Sequence, residues 1–234
     1  MASLCIVQIV LVIIFLYTYD FLIMAKTKTQ LAVAVDQRWF KVHKRQTKEG
    51  RCGAATLHLV LSYAEAVLNK NLEIPDEDKI HNEINVEWFG APNGICAAYL
   101  SRFFSEIGYK SNATLEDLHS HLSKGHIIVV DWWDDLPWPG DPERSEPLPN
   151  PEGAYFPDVA DGHYSIVGGL TPEGNTITLI DPSGSGRDIW DCDATVFESK
   201  WFDYEGMQNN PGLKVEKWFM WVDPTSYHPD VLSF

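Results

Sequence analysis

The chain has 234 residues, enough for one domain with a sizeable core. Apolar residues make up 45% and charged residues 22%, ordinary globular values that exclude a mainly disordered chain. A formal net charge of −15 argues against a nucleic-acid partner, because a phosphate backbone calls for basic surface; an acidic surface serves solubility and can also favour cationic substrates. Basic residues gather between Arg38 and Arg51 and leave the remainder still more acidic. Four cysteines (Cys5, Cys52, Cys96, Cys192) are widely spaced with no CxxC pair, which fits neither a disulfide framework nor a structural zinc pattern. Neither a cofactor nor a metal is expected.

At the N-terminus, residues 1–24 form a hydrophobic segment. "MASLCIVQIVLVIIFLYTY" carries no charge and is long enough for a single-span membrane anchor. Lys26, Lys28, Arg38 and Lys41 follow it, so the positive-inside tendency would keep the catalytic domain cytoplasmic. The alternatives are a cytoplasmic protein whose translation starts at Met24, and a signal peptide, which lacks positive charge before the apolar run and a clear cleavage site. Residues 25–37 read as a linker, with "QLAVAV" a short strand or extended stretch. A domain over residues 38–225 and a tail over 226–234 complete the division, and a monomer is expected.

Within "EGRCGAATLHLVLSYAEAVL", Leu57, Val60, Leu61, Ala64, Val67 and Leu68 recur at helical spacing, with His58, Ser62, Glu65 and Asn69 opposite. The helix should begin near Cys52 and end near Asn71. The segment up to Gly94 is mostly polar and has turn signals at Pro75 and from Pro92 to Gly94. Leu100, Phe103, Phe104 and Ile107 predict a second amphipathic helix stopped by Gly108. Thr114 and Asp117 predict the capping box of a third, with Leu115, Leu118 and Leu122 inward and Gly125 at its end. "HIIVVDW" (126–132) reads as a buried strand. The loop over 133–162 holds seven of the 14 prolines, so neither helix nor central strand can persist there; its aromatic residues, Trp138, Tyr155 and Phe156 among them, would let it fold over a site. "HYSIVGGL" (163–170) and "TITLIDP" (176–182) predict a hairpin joined by "TPEGN", and "KWFMWV" (217–222) a last strand. Helices followed by hairpin-linked strands give an α+β class with a mainly antiparallel sheet.

Cys52 at a helix start sits where free N–H groups and the helix dipole favour a thiolate, and Arg51 beside it would act the same way. A buried, inert cysteine is the alternative reading of that position alone. A cysteine nucleophile needs a base, an acceptor that orients the base, and donors for the oxyanion. His163 opens one strand of the predicted hairpin and Asp181 ends the other, which would bring the two side chains together. Gln46, six residues before Cys52, could place its amide beside the Cys52 N–H.

Taken in order, Q-x5-CG before a helix, then "GHYSIVGG", then "ITLIDPSG", resembles the C39-like cysteine peptidases of the papain-like superfamily, in a stand-alone form without a transporter. The stretches "ATLEDLHSHLSKGHIIVVDWW" and "FESKWFDYEG" are similar to further segments of that family, so the resemblance spans residues 38–222. It implies a papain-like fold, with N-terminal helices packed on the sheet. It also implies a thiol-dependent hydrolase that cleaves a peptide or protein substrate through a thioester. Cys52 would be the nucleophile, His163 the base, Asp181 its orienting acceptor and Gln46 the oxyanion donor. Gly53, Trp132, Trp133 and Gly162 are the substrate-binding candidates. Arg51-Cys52-Gly53-Ala54 departs from the family's usual Asp-Cys-Gly-Pro, and leader-peptide export is not implied. The runner-up reading is a catalytically inactive papain-like binding module for a peptide or protein partner. His119 and His121 read as a solvated helix face, and Asp131, Asp134 and Asp135 as the rim of the aromatic loop.

Overall fold

The computed structural model describes residues 33–48, 50–84, 91–133, 162–171, 174–183, 188–205 and 213–228. The hydrophobic segment 1–24, the residues Trp138, Tyr155 and Phe156, and the acidic residues Asp134 and Asp135 lie outside that set. Among the described residues, no helix is long and apolar enough to cross a membrane.

The elements are α1 (Trp39–Val42), α2 (Cys52–Leu68), α3 (Glu77–Glu83), α4 (Asn93–Leu100), β1 (Ile107–Lys110), α5 (Leu115–Leu122), β2 (Ile127–Trp133), β3 (Gly162–Leu170), β4 (Thr176–Ile180), β5 (Ile189–Asp193), α6 (Ala194–Lys200), β6 (Phe202–Glu205), β7 (Leu213–Glu216) and β8 (Phe219–Val222). A six-stranded sheet runs β1-β8-β2-β3-β4-β5, with β6 and β7 as a separate ribbon. Every strand pair is antiparallel.

One core lies between α2 and the sheet face that carries Ile127, Val129, Tyr164, Ile166, Ile180 and Met220. The other face, with Ile128, Val130, Trp132, Val167, Leu179 and Phe219, is covered by Leu118 of α5 and Phe197 of α6. A sheet covered on both sides needs apolar residues at every strand position, which is why β2 reads as a continuous apolar run instead of an alternating one. Helix α2 is more enclosed than its amphipathic pattern suggests, since Leu57, Leu59, Val60 and Leu61 are all buried. Each such side chain contributes about 1.5–3 kcal/mol of hydrophobic stabilisation.

Three expectations hold closely. Helix α2 begins at Cys52 and stops at Asn69, which takes the left-handed conformation of a helix terminus. Thr114 and Asp117 form a complete capping box on α5, and Gly125 beyond it has a φ of +80°, where a Cβ would be strained. Strands β3 and β4 form the predicted hairpin, with Ile166 opposite Ile180 and a bulge between Val167 and Gly169.

Other expectations need correcting. Helix α3 sits in a segment read as polar connection: Asp76 caps it by accepting from Lys79 N at 2.7 Å, and Ile80 alone within it is buried. The second amphipathic helix lies earlier than expected. Pro92 starts α4 and Leu100 ends it, while Ile107 and Gly108 belong to β1, paired with Val222 and Trp221. Strand β5, helix α6 and strand β7 were not foreseen. The segment read as a linker is tied to the domain from Val33 onward. Val33 N donates to Leu170 O and Leu170 N to Val33 O, both at 2.8 Å. The approach is close enough that a Cβ on Gly169 would lie 2.6 Å from Val33 O. The tail is likewise docked as far as His228, whose N–H donates to Phe103 O at 2.9 Å.

His121 is not on a solvated face. It lies half-buried with its ring stacked on Trp221, and its Nδ1 is 2.9 Å from His126 Nδ1.

Candidate active site

Cys52 is the first residue of α2. Its N-cap, Arg51, supplies no side-chain cap, and the first backbone bond of the helix runs from Ala55 N to Arg51 O. The N–H groups of Cys52, Gly53 and Ala54 therefore open the helix with no backbone partner in the preceding turn among the described residues, and the positive end of the dipole lies there.

The segment leading into Cys52 is clamped on two sides. His43 Nε2 lies 2.8 Å from Asp181 O, and Gln46 N donates to Pro182 O at 2.7 Å. Arg45 pairs with Asp188 at 2.6 Å. On the other side, Thr47 N and Oγ1 donate to Glu77, while Arg51 pairs with Asp78. That pairing corrects one expectation, because the Arg51 guanidinium is directed at the first turn of α3.

His163 stands at the end of β3, opposite Trp132 of β2. Its Nε2 donates to Asp181 Oδ1 at 2.7 Å. Asp181 is fully buried and also accepts from Ser183 N at 2.7 Å, which fixes the carboxylate. The other ring nitrogen, Nδ1, is left free by that bond, and Cys52 lies within electrostatic reach of the ring. Burial disfavours a charged His163, but the Asp181 charge and hydrogen bond, together with Cys52, outweigh it and hold the imidazolium well above the ordinary histidine range. Burial likewise pushes Asp181 up, and the His163 charge and the hydrogen bonds from His163 and Ser183 more than reverse it, leaving the carboxyl below its usual range. Gln46 is half-buried, with its Oε1 enclosed and accepting nothing among the described residues.

Cys52 and Gln46 thus lie on one stretch of chain and His163 and Asp181 on two others, with His163 bonded to Asp181 and the Gln46 backbone to the neighbouring Pro182. The substrate-binding candidates divide. Gly53 is buried, and a Cβ there would lie 3.2 Å from Ala91 Cβ. Gly162 abuts His163, and a Cβ on it would lie 2.6 Å from both oxygens of Asp203. Trp133 is half-buried and stacks on Phe202 at 5.7 Å. Trp132 is fully buried and offers no surface to a substrate; its Nε1 donates to Ser165 Oγ at 3.0 Å, and its ring meets His163 edge-on at 6.0 Å. Its place is beneath the imidazole.

Asp131 is not a rim residue. It is 2% exposed in the middle of the fold, and its Oδ2 accepts from Asn93 Nδ2 at 2.9 Å. Asn93 Oδ1 in turn accepts from the Tyr164 hydroxyl at 2.8 Å. Sequence reasoning missed Asn93, Tyr164 and Asp203 altogether. One signal was available: an aspartate inside an apolar strand is costly unless paired.

Residues 39–209 match the model of the Peptidase_C39 like family. No curated protein matches the chain. Among solved structures, a C39-like peptidase from Bacillus anthracis is similar at 13% identity and a TM-score of 0.50, over 77% of this chain and 94% of that one. The peptidase domain of Streptococcus ComA, a bi-functional ABC transporter involved in quorum sensing, is similar at 12% identity and a TM-score of 0.46, over 77% and 96%. A double-glycine-motif protease from an AMS/PCAT transporter, in complex with its leader peptide, is similar at 11% identity and a TM-score of 0.40, over 82% and 92%. The mixed helical and antiparallel architecture is the papain-like one of C39 peptidase domains.

Proposed function

Because the chain belongs to the Peptidase_C39 like family, we propose that it is a thiol-dependent hydrolase that cleaves a peptide amide bond through a thioester. The observation that carries this reading is the buried His163–Asp181 pair, with 2.7 Å between His163 Nε2 and the carboxylate, and Cys52 at the start of α2 within electrostatic reach of the imidazole.

In the reaction, the Cys52 thiolate attacks the amide carbonyl carbon. The carbonyl oxygen gains the negative charge, which the Cys52 N–H and the Gln46 amide stabilise. His163 gives its Nδ1 proton to the leaving amine as the C–N bond breaks, and the acyl group stays on sulfur. Water then attacks the thioester, His163 takes its proton, and the thiolate leaves. Asp181 holds the ring orientation and stabilises the imidazolium without taking the proton itself.

The test is labelling of the full chain with iodoacetamide across pH, followed by peptide mapping. Among the three described cysteines, rapid alkylation confined to Cys52 is expected, extending into mildly acidic solution and slowed by His163→Ala, because the imidazolium partner is lost. Cys96 and Cys192 are buried and should label only on unfolding. Slow labelling of Cys52 in the folded protein, or a rate indifferent to His163→Ala, would overturn the reading.

A further inference from the structure

Strand β4 ends at Ile180, the last of its residues paired with β3 and β5. Asp181 stands one residue beyond that ladder, so its backbone groups must be satisfied in another way. Its N–H donates to Asp188 O at 2.8 Å. Its carbonyl accepts from a side chain, His43 Nε2, at 2.8 Å. A carbonyl oxygen only accepts, so the His43 ring carries a proton on Nε2 whether it is neutral or charged. The next carbonyl, Pro182 O, accepts from Gln46 N at 2.7 Å. The stretch 43–46 thus takes up consecutive carbonyls just past the end of β4.

His43 is itself fixed from the other side. It closes α1, with its N–H donating to Trp39 O at 2.9 Å. Trp39 is buried and stacks on Tyr63 at a centroid distance of 3.8 Å, the rings 11° from parallel. Tyr63 belongs to α2, the helix that opens with Cys52. Printed contacts of ring, backbone and side chain therefore run from that helix through Trp39 and His43 to Asp181, and on to His163 at 2.7 Å. The Asp181 carboxylate is fully buried, and its Oδ1 accepts from both His163 Nε2 and Ser183 N. A shift of the Asp181 backbone would carry this carboxylate, and the ring bonded to it, away from its place.

We propose that His43 is a positioning residue: its Nε2–H holds the backbone of Asp181 and, through the Asp181 carboxylate, keeps the His163 imidazole in register with Cys52. The role rests on the cysteine-peptidase reading and deepens it. Donation and charge are separable contributions of the His43 ring. Asp188 lies below the usual carboxylate range because of its bond from Arg45 first, with burial opposing and the His43 charge adding to the effect. The bond to Asp181 O needs only the Nε2 proton, so a neutral donor of the same reach keeps the positioning and gives up the charge.

The test reads iodoacetamide alkylation of Cys52 in the full chain at about pH 6, with the adduct located by peptide mapping. His43→Met removes the donor and keeps an apolar side chain. His43→Asn keeps an amide that falls short of the carbonyl, and serves alone where His43→Met does not fold. His43→Gln carries an amide N–H as many bonds from Cβ as histidine Nε2. His43→Met and His43→Asn should each slow Cys52 by roughly three- to tenfold, and His43→Gln should stay within about twofold of the unaltered protein. In an Asp181→Asn background the charge that His43 places is gone, and neither of the slowing substitutions should change the rate by more than about twofold. A merely structural role would slow Cys52 by the same factor in both backgrounds. The positioning role is overturned by an equal loss in both backgrounds, by His43→Gln as slow as His43→Asn, or by rates within about twofold of the unaltered protein for all three substitutions. Those results leave the peptidase reading standing as long as His163→Ala still slows Cys52; a Cys52 indifferent to His163→Ala overturns both.

Discussion

Substituting Asp181 by asparagine tests the site through one charge. Asp181 is fully buried, and its Oδ1 accepts from His163 Nε2 and Ser183 N, both at 2.7 Å. Asparagine keeps the volume and an oxygen in that place, so β4 and the turn after it should survive. The charge is lost. With charge centres about 4 Å apart and an effective dielectric near 20, the lost attraction is about 4 kcal/mol of imidazolium stabilisation. His163 is held in its charged form by Asp181 and Cys52 against the cost of burial, so without Asp181 it should sit neutral in mildly acidic solution. A neutral imidazole no longer supports the Cys52 thiolate. At about 1.4 kcal/mol per decade the full effect is near three decades in alkylation rate, and the gain in intrinsic nucleophilicity of a more basic thiol returns part of it. The expected outcome is a fall of roughly 30- to 1,000-fold in the iodoacetamide rate at Cys52 near pH 6. The rate would be read by intact mass against a Cys52→Ser background, with near-UV circular dichroism confirming the fold. A rate within about threefold of the unaltered protein would refute the electrostatic account.

Two further predictions concern the scaffold. Burial, and then the neighbouring His126 and Lys124, lower the His121 pKa from 6.5 to about 4. The unfolded chain therefore binds this proton first as pH falls: stability from this group is full above 6.5, declines between 6.5 and about 4, and is flat below. Discounted for the partial exposure of the ring, the loss is about 1 kcal/mol, and His121→Phe should flatten that part of the urea-midpoint profile; an unchanged slope would count against it. Trp132→Phe removes the 3.0 Å bond to Ser165 Oγ in a site where both residues are fully buried. An unsatisfied hydroxyl and a small cavity together cost about 2–4 kcal/mol in urea unfolding, and a loss below about 0.5 kcal/mol would show that the ring is not the packed support it is taken for.

The elements legible in the sequence are those whose signals are local. The capping box at Thr114 and the helical spacing after Cys52 each lie within one element, and both were read correctly to within a turn. Helix α3 was lost because only Ile80 within it faces the core, so no apolar stripe exists to read. Helix α4 was lost because Pro92 serves as its N-cap, where proline and a following Asn-Gly also spell a turn. At the site, Cys52, His163 and Asp181 were marked by their positions at the ends of recognisable elements. Asp131 was misplaced because a strand covered on both faces gives no alternation from which to tell an inward aspartate from an outward one. Asp203 was invisible for a different reason: its partner is set by how a distant ribbon docks against Gly162, and no local pattern encodes that.

The basic residues that gather between Arg38 and Arg51 are largely engaged within the fold. Arg38 pairs with Asp36, Arg45 with Asp188, Lys48 with Asp78, and Arg51 with Asp78 and Glu77. The Arg45 pair, with the His43 and Gln46 bonds to Asp181 and Pro182, holds the approach to Cys52 against the stretch that carries Asp181, and the Lys48 and Arg51 pairs tie it to α3. Most of them are exposed, so individually they add little stability; together they fix where one chain segment lies relative to another.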